Sequence, residues 1–157
     1  MSNQFSLLLF AIGVLMLFSL VTDAREQRKS ISAAEVNGTF QMSFKGEFSD
    51  SSNVIKLLAL GRGKIRVAMD LIYPYRLPNG ELSANLGELG GEASINGDTA
   101  IHESSEFGPC RITIKFVRSG TIMVTQSGSD ADCGFGHNVY AGGTYRKVSS
   151  RKPKFED

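Results

Sequence analysis

The clearest alternation of hydrophobic and polar positions lies in two neighbouring segments, 111–117 (RITIKFV) and 121–126 (TIMVTQ). In a β-strand such alternation places the apolar side chains on one face and the polar ones on the other. Residues 118–120 (RSG) between them have turn chemistry, so the pattern predicts an antiparallel hairpin with one buried face. The side chains on that face are Ile112, Ile114, Phe116, Ile122 and Val124.

Further alternating segments lie upstream. Residues 53–60 (NVIKLLAL) and 64–73 (KIRVAMDLIY) are rich in apolar side chains, and the segment 61–63 (GRG) between them predicts a second hairpin. In 64–73 the apolar face is formed by Ile65, Val67, Met69, Leu71 and Tyr73. A shorter alternation predicts one more strand, with its apolar face formed by Phe40, Met42 and Phe44.

The middle of the chain has a less regular pattern. Prolines and an Asn-Gly pair interrupt residues 74–90, and three leucines there have helical spacing, which predicts a short helix or an irregular loop. These leucines are Leu82, Leu86 and Leu89. Residues 91–103 alternate around Asn96-Gly97, which favours a tight hairpin. A final segment, 138–148, fits either a strand pair or one bent strand.

These segments together predict an all-β fold of about seven or eight short strands. Because every clear connection is a local hairpin, we expect a small antiparallel up-and-down barrel, with a sandwich as the alternative. The β domain should span 37–148. A flexible lead-in is expected over 25–36 and a basic, disordered tail over 149–157.

The N-terminus differs from the rest of the chain, because 5–21 contains no charged residue. An apolar segment followed by a small residue such as Ala24 is typical of a secretory signal peptide, here 1–24. Cleavage there would leave no membrane span in the mature chain and would make the protein periplasmic or secreted. Positive charges follow the apolar segment, at Arg25 and Arg28, and the alternative is an uncleaved anchor.

Charge and cysteine content narrow the classes of function. Removal of 1–24 takes away one charged residue, Asp23, and leaves 17 basic and 15 acidic side chains, a formal charge of +2. A nucleic-acid-binding protein would need clustered basic residues, so no nucleic-acid partner is expected. About 130 residues suit one domain with its own core, which we expect to be a monomer. Cys110 and Cys133 are expected to form a disulfide, with two buried thiols as the alternative.

The segment 127–143 (SGSDADCGFGHNVYAGG) concentrates small, acidic and polar residues between two predicted strands. Loops on a rigid scaffold often carry binding residues, so this loop is the candidate binding site. The candidate binding residues are Ser127, Ser129, Asp130, Asp132, His137 and Asn138. The alternative is a tight glycine-rich turn in which Asp130 and Asp132 accept hydrogen bonds from nearby backbone N–H groups.

Metal and catalytic chemistry are not indicated. The sequence after Asp130 begins like an EF-hand loop, but Phe135 and Ala141 stand where that loop needs a glycine and a bidentate acid. His102 and His137 are not at zinc-ligand spacing, and no serine lies in a G-x-S-x-G context. The sequence therefore predicts a protein that is not an enzyme and has no metal and no cofactor.

Three stretches, 107–110 (FGPC), 132–139 (DCGFGHNV) and 143–145 (GTY), resemble the C-terminal part of small bacterial periplasmic proteins, some of which are similar to lysozyme inhibitors. The resemblance covers about half of the mature domain, 91–147. In the related c-type lysozyme inhibitors, the serine of a Ser-Gly-Ser-Gly loop enters the cleft of the enzyme. Ser127-Gly128-Ser129 matches the start of that loop, whereas an aspartate follows here.

The resemblance implies an exported binding module that inhibits a lysozyme or engages another protein partner in the envelope or outside the cell. Two alternatives stay open. One is a structural envelope protein without a discrete ligand, and the other is a small-ligand carrier. Small barrels are often filled by their own side chains, so the carrier is the last choice.

The first testable prediction concerns processing. If 1–24 is a signal peptide, the exported protein should begin near Arg25. N-terminal sequencing and intact-mass measurement of the exported protein will check this. Full-length protein retained in the membrane fraction would instead support the anchor.

Overall fold

The computed structural model describes residues 30–155, so the predicted signal peptide and the first five residues of the predicted lead-in lie outside the described residues. Within that range, eight antiparallel strands form one closed barrel, in which each strand pairs with its neighbours in the chain and the last pairs with the first. The predicted up-and-down barrel is confirmed. The strands are β1 Gly38–Ser43, β2 Ser52–Gly61, β3 Lys64–Arg76, β4 Leu82–Asn96, β5 Thr99–Ser104, β6 Cys110–Arg118, β7 Thr121–Ser127 and β8 Gly143–Ser149.

The barrel interior is filled by the side chains that the alternation assigned to the inner face. Ile112 and Ile114 of β6 and Val67 of β3 have no exposed surface, and Phe116 is 7% exposed. The predicted inner faces of these two strands are thus confirmed up to Leu71. The largest fully buried side chains are Tyr145, Phe40, Ile55, Leu57, Ile65, Met69, Leu71, Ile112, Ile114, Ile122, Val67 and Val124.

The expectation of a helix or loop around Leu82, Leu86 and Leu89 was wrong. These residues lie in β4, which pairs with β3 continuously from Ser94 to Leu82. Leu82 and Leu86 lie on its outer face, and Leu89 packs partly against the core. Pairing with a long neighbouring strand decides the backbone conformation here, and the leucine spacing is incidental.

Tyr73 also departs from its expected place, since it is 40% exposed although it continues the inner face of β3. The pairing between β2 and β3 ends at Asp70, so β3 continues past its neighbour and beyond the core. The buried side chain of Asn53 then accepts the N–H of Ile72, at 2.8 Å. The backbone nitrogen of Pro74 lies on this same edge of β3, two residues later. Since β2 does not pair with β3 there, the N–H that proline lacks leaves no hydrogen bond between strands unmade.

The two ends of the barrel differ. One end, here called the turn end, carries the three tight turns at 61–64, 96–99 and 118–121. The other, here called the loop end, carries the connections 43–52, 76–82, 104–110 and 127–143. A short 3₁₀ helix, Gly46–Phe48, lies in the first of these. The final segment, for which a strand pair or a bent strand was expected, contains the single strand β8.

The described chain ends are packed at or near the turn end. A four-residue helix, α1 (Ala33–Val36), begins with a capping box between Ser32 and Glu35, and Val36 is buried. The Lys147 ammonium donates to the carbonyls of Ala34, Glu35 and Asn37 at 2.8–3.0 Å. Burial lowers the pKa of Lys147. Part of the predicted lead-in is therefore docked on the barrel.

The C-terminal tail also contacts the barrel. The guanidinium carbon of Arg66 lies 4.8 Å from the centroid of the Phe155 ring. Among the described residues, no helix is long and apolar enough to cross a membrane.

The second testable prediction concerns the core. Replacing Ile114 by Ala should lower the free energy of unfolding by about 2–5 kcal/mol, because a fully buried side chain is lost and leaves a cavity. Denaturant titration will measure it. Lys115→Ala on the exposed face of the same strand is the control and should stay within about 0.5 kcal/mol of the native protein. A comparable small effect for Ile114→Ala would contradict the assigned inner face.

Candidate functional site

The candidate loop is attached covalently to the barrel. Cys110, the first residue of β6, forms a disulfide with Cys133, and their Cα atoms lie 4.9 Å apart. The predicted bond is thus confirmed. It closes a loop with a sequence separation of 23 residues, which in the chain-entropy account stabilises the fold by roughly 3 kcal/mol. The bond therefore holds the middle of the candidate loop beside the start of β6.

The second half of the loop is a plug for the barrel, which the sequence alone did not reveal. Cys133, Phe135, Val139 and Ala141 are all buried in the core. Phe135 and Val139 pack on Gly87 of β4 so closely that a Cβ there would lie 2.8–2.9 Å from them. Much of the candidate binding loop therefore also has a structural role.

The backbone of the plug continues the wall of the barrel. The N–H of Gly136 donates to the carbonyl of Leu86 at 2.9 Å, and the side-chain amide of Asn85 donates to the carbonyl of His137 at 2.7 Å. Leu86, the acceptor, and Asn85, the donor, both belong to β4. These two hydrogen bonds fix the position of the plug along β4.

Asp130 organises the polar half of the loop. Its carboxylate accepts the N–H of Asn138 at 2.6 Å and that of Ala131 at 2.8 Å, while the exposed ring of His137 lies 3.8 Å away. Asn138 has a φ of 63°, a left-handed conformation that asparagine tolerates better than most residues. The two backbone hydrogen bonds, the one from Asn138 above all, hold the pKa of Asp130 below 3.8.

Asp132 and Ser129 form a second local network. The Asp132 carboxylate accepts both the backbone N–H and the hydroxyl of Ser129, each at 2.8 Å, and the hydroxyl oxygen accepts the Asp132 N–H at 3.1 Å. These bonds, first the one from the backbone N–H, lower the pKa of Asp132. The expected glycine-rich turn with aspartates bound to backbone N–H groups is thus confirmed.

Two residues outside the predicted set complete the loop. Gln126, near the end of β7, accepts the Ala141 N–H at 2.9 Å and donates to the carbonyls of Gly128 and Ser129 at 3.3–3.4 Å. The hydroxyl of buried Tyr145 donates to the Ala141 carbonyl at 2.8 Å, and burial raises its pKa to about 12. The strand pattern alone gave no signal for either role.

The outward side of the loop end carries aromatic side chains. Phe107 is 67% exposed and Tyr140 is 52% exposed. The Phe107 ring lies against Gly134, where a Cβ would come within 2.6 Å of it, and the Tyr140 ring lies against Gly142. Since neither glycine has a side chain, each ring rests on backbone. We call Phe107, His137, Asn138 and Tyr140 the loop-end surface.

Other chemistry-bearing groups lie elsewhere. His102 is buried beside Gly91, and its Nδ1 is 2.9 Å from the Glu92 carbonyl oxygen. An open groove of about 870 Å³ runs along the outer wall of β2, β3 and β4, and it includes none of the predicted site residues. Within residues 30–155, no group of three or more His, Cys, Asp or Glu is placed to hold a metal.

The third testable prediction concerns Asp130. Asp130→Ala removes the acceptor of the Asn138 N–H, so hydrogen exchange of that amide should accelerate. Exchange measured by NMR will check this. Asp50→Ala, in another connection at the loop end, is the control and should leave this amide unchanged. Unchanged exchange in Asp130→Ala would mean that Asp130 does not protect this amide and that the other contacts of the loop order it.

The same measurement has an expected pH dependence. The pKa values of Asp130 and Asp132 are lower in the folded state than in the unfolded state, so the ionised carboxylates stabilise the fold fully above pH 3.8. This stabilisation is lost as the pH falls through the lower pKa values of the folded state. Protection of the Asn138 amide, corrected for intrinsic exchange, should therefore hold down to about pH 4 and fall only below it. A loss near pH 6 would contradict this assignment.

The structure brings the predicted residues together in two groups, Ser129 with Asp132 and Asp130 with His137 and Asn138, while Ser127 lies exposed at the end of β7. The carboxylates of Asp130 and Asp132 accept hydrogen bonds from within the loop, whereas His137 and Asn138 are exposed. Searches against protein-family profiles, curated proteins and solved structures found no match to this chain.

Proposed function

We propose that this protein is an exported, non-enzymatic binding module whose loop-end surface engages a protein partner. The observation that carries the proposal is the exposure of two aromatic side chains, Phe107 and Tyr140, on backbone that is already fixed. Interfaces between proteins are enriched in such side chains, and the strongest single contributions often come from tyrosine and other aromatic anchors.

Preorganisation supports this use of the loop. The disulfide, the Asp130 carboxylate and the Gln126 amide each fix a different part of 127–143 before any partner arrives. A fixed loop loses little conformational entropy on binding, so more of the contact energy contributes to affinity. His137 and Asn138, which lie in the same loop as Tyr140, add exposed polar side chains to the loop-end surface.

The same bond supports the proposed compartment. A structural disulfide persists in oxidising compartments, which supports a periplasmic or secreted location. The interior of the barrel is occupied by large side chains such as Tyr145, Phe40 and Leu57. This favours binding at the surface over a small-ligand carrier, while a purely structural envelope role stays the alternative.

A c-type lysozyme is the first partner to test, because of the resemblance of 91–147 to lysozyme-inhibitor-like proteins. In this fold the Ser129 hydroxyl is hydrogen-bonded to Asp132, so the serine that would enter the enzyme cleft is already engaged. The ionised Asp130 and Asp132 would also face the catalytic carboxyl groups of a lysozyme, which weakens such a complex. We therefore expect the aromatic side chains to provide the main contacts.

The fourth testable prediction concerns these anchors. Phe107→Ala and Tyr140→Ala should each weaken binding about tenfold or more, because truncation of an aromatic hot-spot residue commonly costs about 2 kcal/mol. Calorimetric titration with c-type lysozyme and a cell-wall lysis assay will measure affinity and inhibition. Leu60→Ala, a similarly exposed residue on the barrel wall, is the control.

If lysozyme does not bind, the same variants remain informative. The exported protein and its Phe107→Ala and Leu60→Ala variants can each be immobilised and exposed to envelope extract. A partner that binds through the loop-end surface should be retained by the native protein and by Leu60→Ala but not by Phe107→Ala. Partners retained equally on all three proteins would contradict binding through the loop-end surface. The absence of any such partner would favour the structural role.

A further inference from the structure

Basic side chains gather at the turn end of the barrel. Arg62 and Arg118 lie in two of its three turns, and Arg146 pairs with Thr121 beside the second of them. Two more exposed cations follow the end of β8. We call this set the basic rim, formed by Arg62, Arg118, Arg146, Arg151 and Lys152, all of which are exposed.

No acidic side chain of the described chain forms an ion pair with the basic rim. The acids near the turn end are engaged elsewhere. The Glu92 carboxylate pairs with Lys64 at 2.6 Å, and the Asp98 carboxylate accepts the Thr99 hydroxyl at 2.7 Å. Glu35 belongs to the capping box of α1. The rim therefore keeps its positive charge for another molecule.

Arg62 is an unusual residue for its position. It has a φ of 53° and lies between two glycines, Gly61 and Gly63, that also have positive φ. Glycine and asparagine adopt this left-handed conformation at less cost and are usual in such turns. Within the described chain the Arg62 side chain makes no hydrogen bond and no ion pair. A residue with a backbone cost and no contact in its own fold fits a role in binding.

Exposed aliphatic side chains lie among the basic ones. Leu60, Val117 and Val148 are 46–58% exposed, and each is the residue before the last in β2, β6 or β8, at the turn end. Each lies within two positions of a rim cation in the sequence. Basic side chains combined with exposed apolar ones are typical of surfaces that lie on membranes, where the apolar groups enter the boundary between headgroups and acyl chains.

The opposite end of the barrel carries negative charge. Asp50, Glu81 and Glu106 are exposed in three of the loop-end connections, and Asp130 and Asp132 lie in the fourth. An anionic surface would attract the turn end and repel the loop end, so this separation of charge orients the molecule. The near balance of 17 basic and 16 acidic side chains in the sequence conceals it.

We propose that the turn end binds the surface of a membrane that contains anionic phospholipids, through the basic rim and the three exposed aliphatic side chains. A nucleic acid or another soluble polyanion would pair with the cations but would leave Leu60, Val117 and Val148 in water. A bilayer accommodates both kinds of side chain. The loop-end surface then points away from the membrane, so this proposal does not depend on the partner that binds there.

The binding should be reversible and dependent on salt. Each Lys or Arg near an anionic membrane contributes about fivefold in affinity, and this attraction falls off within a Debye length. Affinity for anionic vesicles should therefore fall about tenfold or more when the salt concentration is raised from about 0.05 M to about 0.5 M. Affinity that does not change with salt would contradict binding through the basic rim.

Co-sedimentation of the exported protein with vesicles tests the proposal. The native protein should bind vesicles of equimolar phosphatidylglycerol and phosphatidylcholine about tenfold or more tightly than vesicles of phosphatidylcholine alone. Arg62→Asn should weaken this binding about fivefold without lowering the melting midpoint, because asparagine suits the turn. Lys45→Asn, an exposed position at the loop end, removes the same charge and is the matched control. Equal affinities of the two variants, or no preference for anionic vesicles, would overturn the proposal.

Two further variants separate the membrane from other ligands. Val148→Ser should weaken binding to the anionic vesicles about threefold or more, because an apolar side chain no longer enters the bilayer. Phe107→Ala, at the loop-end surface, should leave vesicle binding unchanged, which keeps this result distinct from that of the loop-end partner. Tighter binding of the native protein to a single-stranded DNA oligonucleotide than to the vesicles, with no effect of Val148→Ser on either, would overturn the proposal and assign the rim to soluble polyanions.

Discussion

The short pairing between β4 and β5 is the constraint on which the loop end of the molecule depends. These strands share only the rows from Ser94 to Asn96 in the described chain, so the wall beside the rest of β4 must be completed by something else. The segment 133–139 does this with apolar side chains inside and hydrogen bonds to Leu86 and Asn85. The disulfide at Cys133 and the hydrogen bond from the Asn138 N–H to Asp130 hold this segment in place, and the Phe107 ring rests on it at Gly134.

The same constraint explains the composition of β4. Its inward positions include Gly87 and Gly91 because side chains from other elements occupy the space where a Cβ would lie. Phe135 and Val139 fill the first space, and the His102 ring, 2.9 Å from where a Cβ of Gly91 would lie, fills the second. Glycine weakens a strand in general, but here it permits side chains from elsewhere in the chain to enter the wall.

This composition also explains how much could be predicted from sequence. Strands with a buried apolar face and a wet polar face, such as β6 and the first half of β3, are recognisable by alternation. β4 departs from that pattern, with Gly87 and Gly91 inward and Leu82 and Leu86 outward, so it resembled a helix or a loop. Local hydrogen bonds of Asp130 and Asp132 were predictable because they depend on near neighbours. The roles of Phe107, Gln126 and Tyr145 depend on contacts made only in the closed barrel.

The contact of Lys147 with α1 has a consequence for the order of folding. It joins residues that are 110 to 113 positions apart, and the pairing of β8 with β1 joins the same two ends of the chain. Contacts of such long range form late, because the loop-closure entropy must be overcome first. A chain emerging N-terminus first from a ribosome can form its early hairpins, but the barrel cannot close until its last strand has emerged. Until then the first strand stays unpaired on one edge, so the incomplete chain exposes a strand edge to which chaperones can bind.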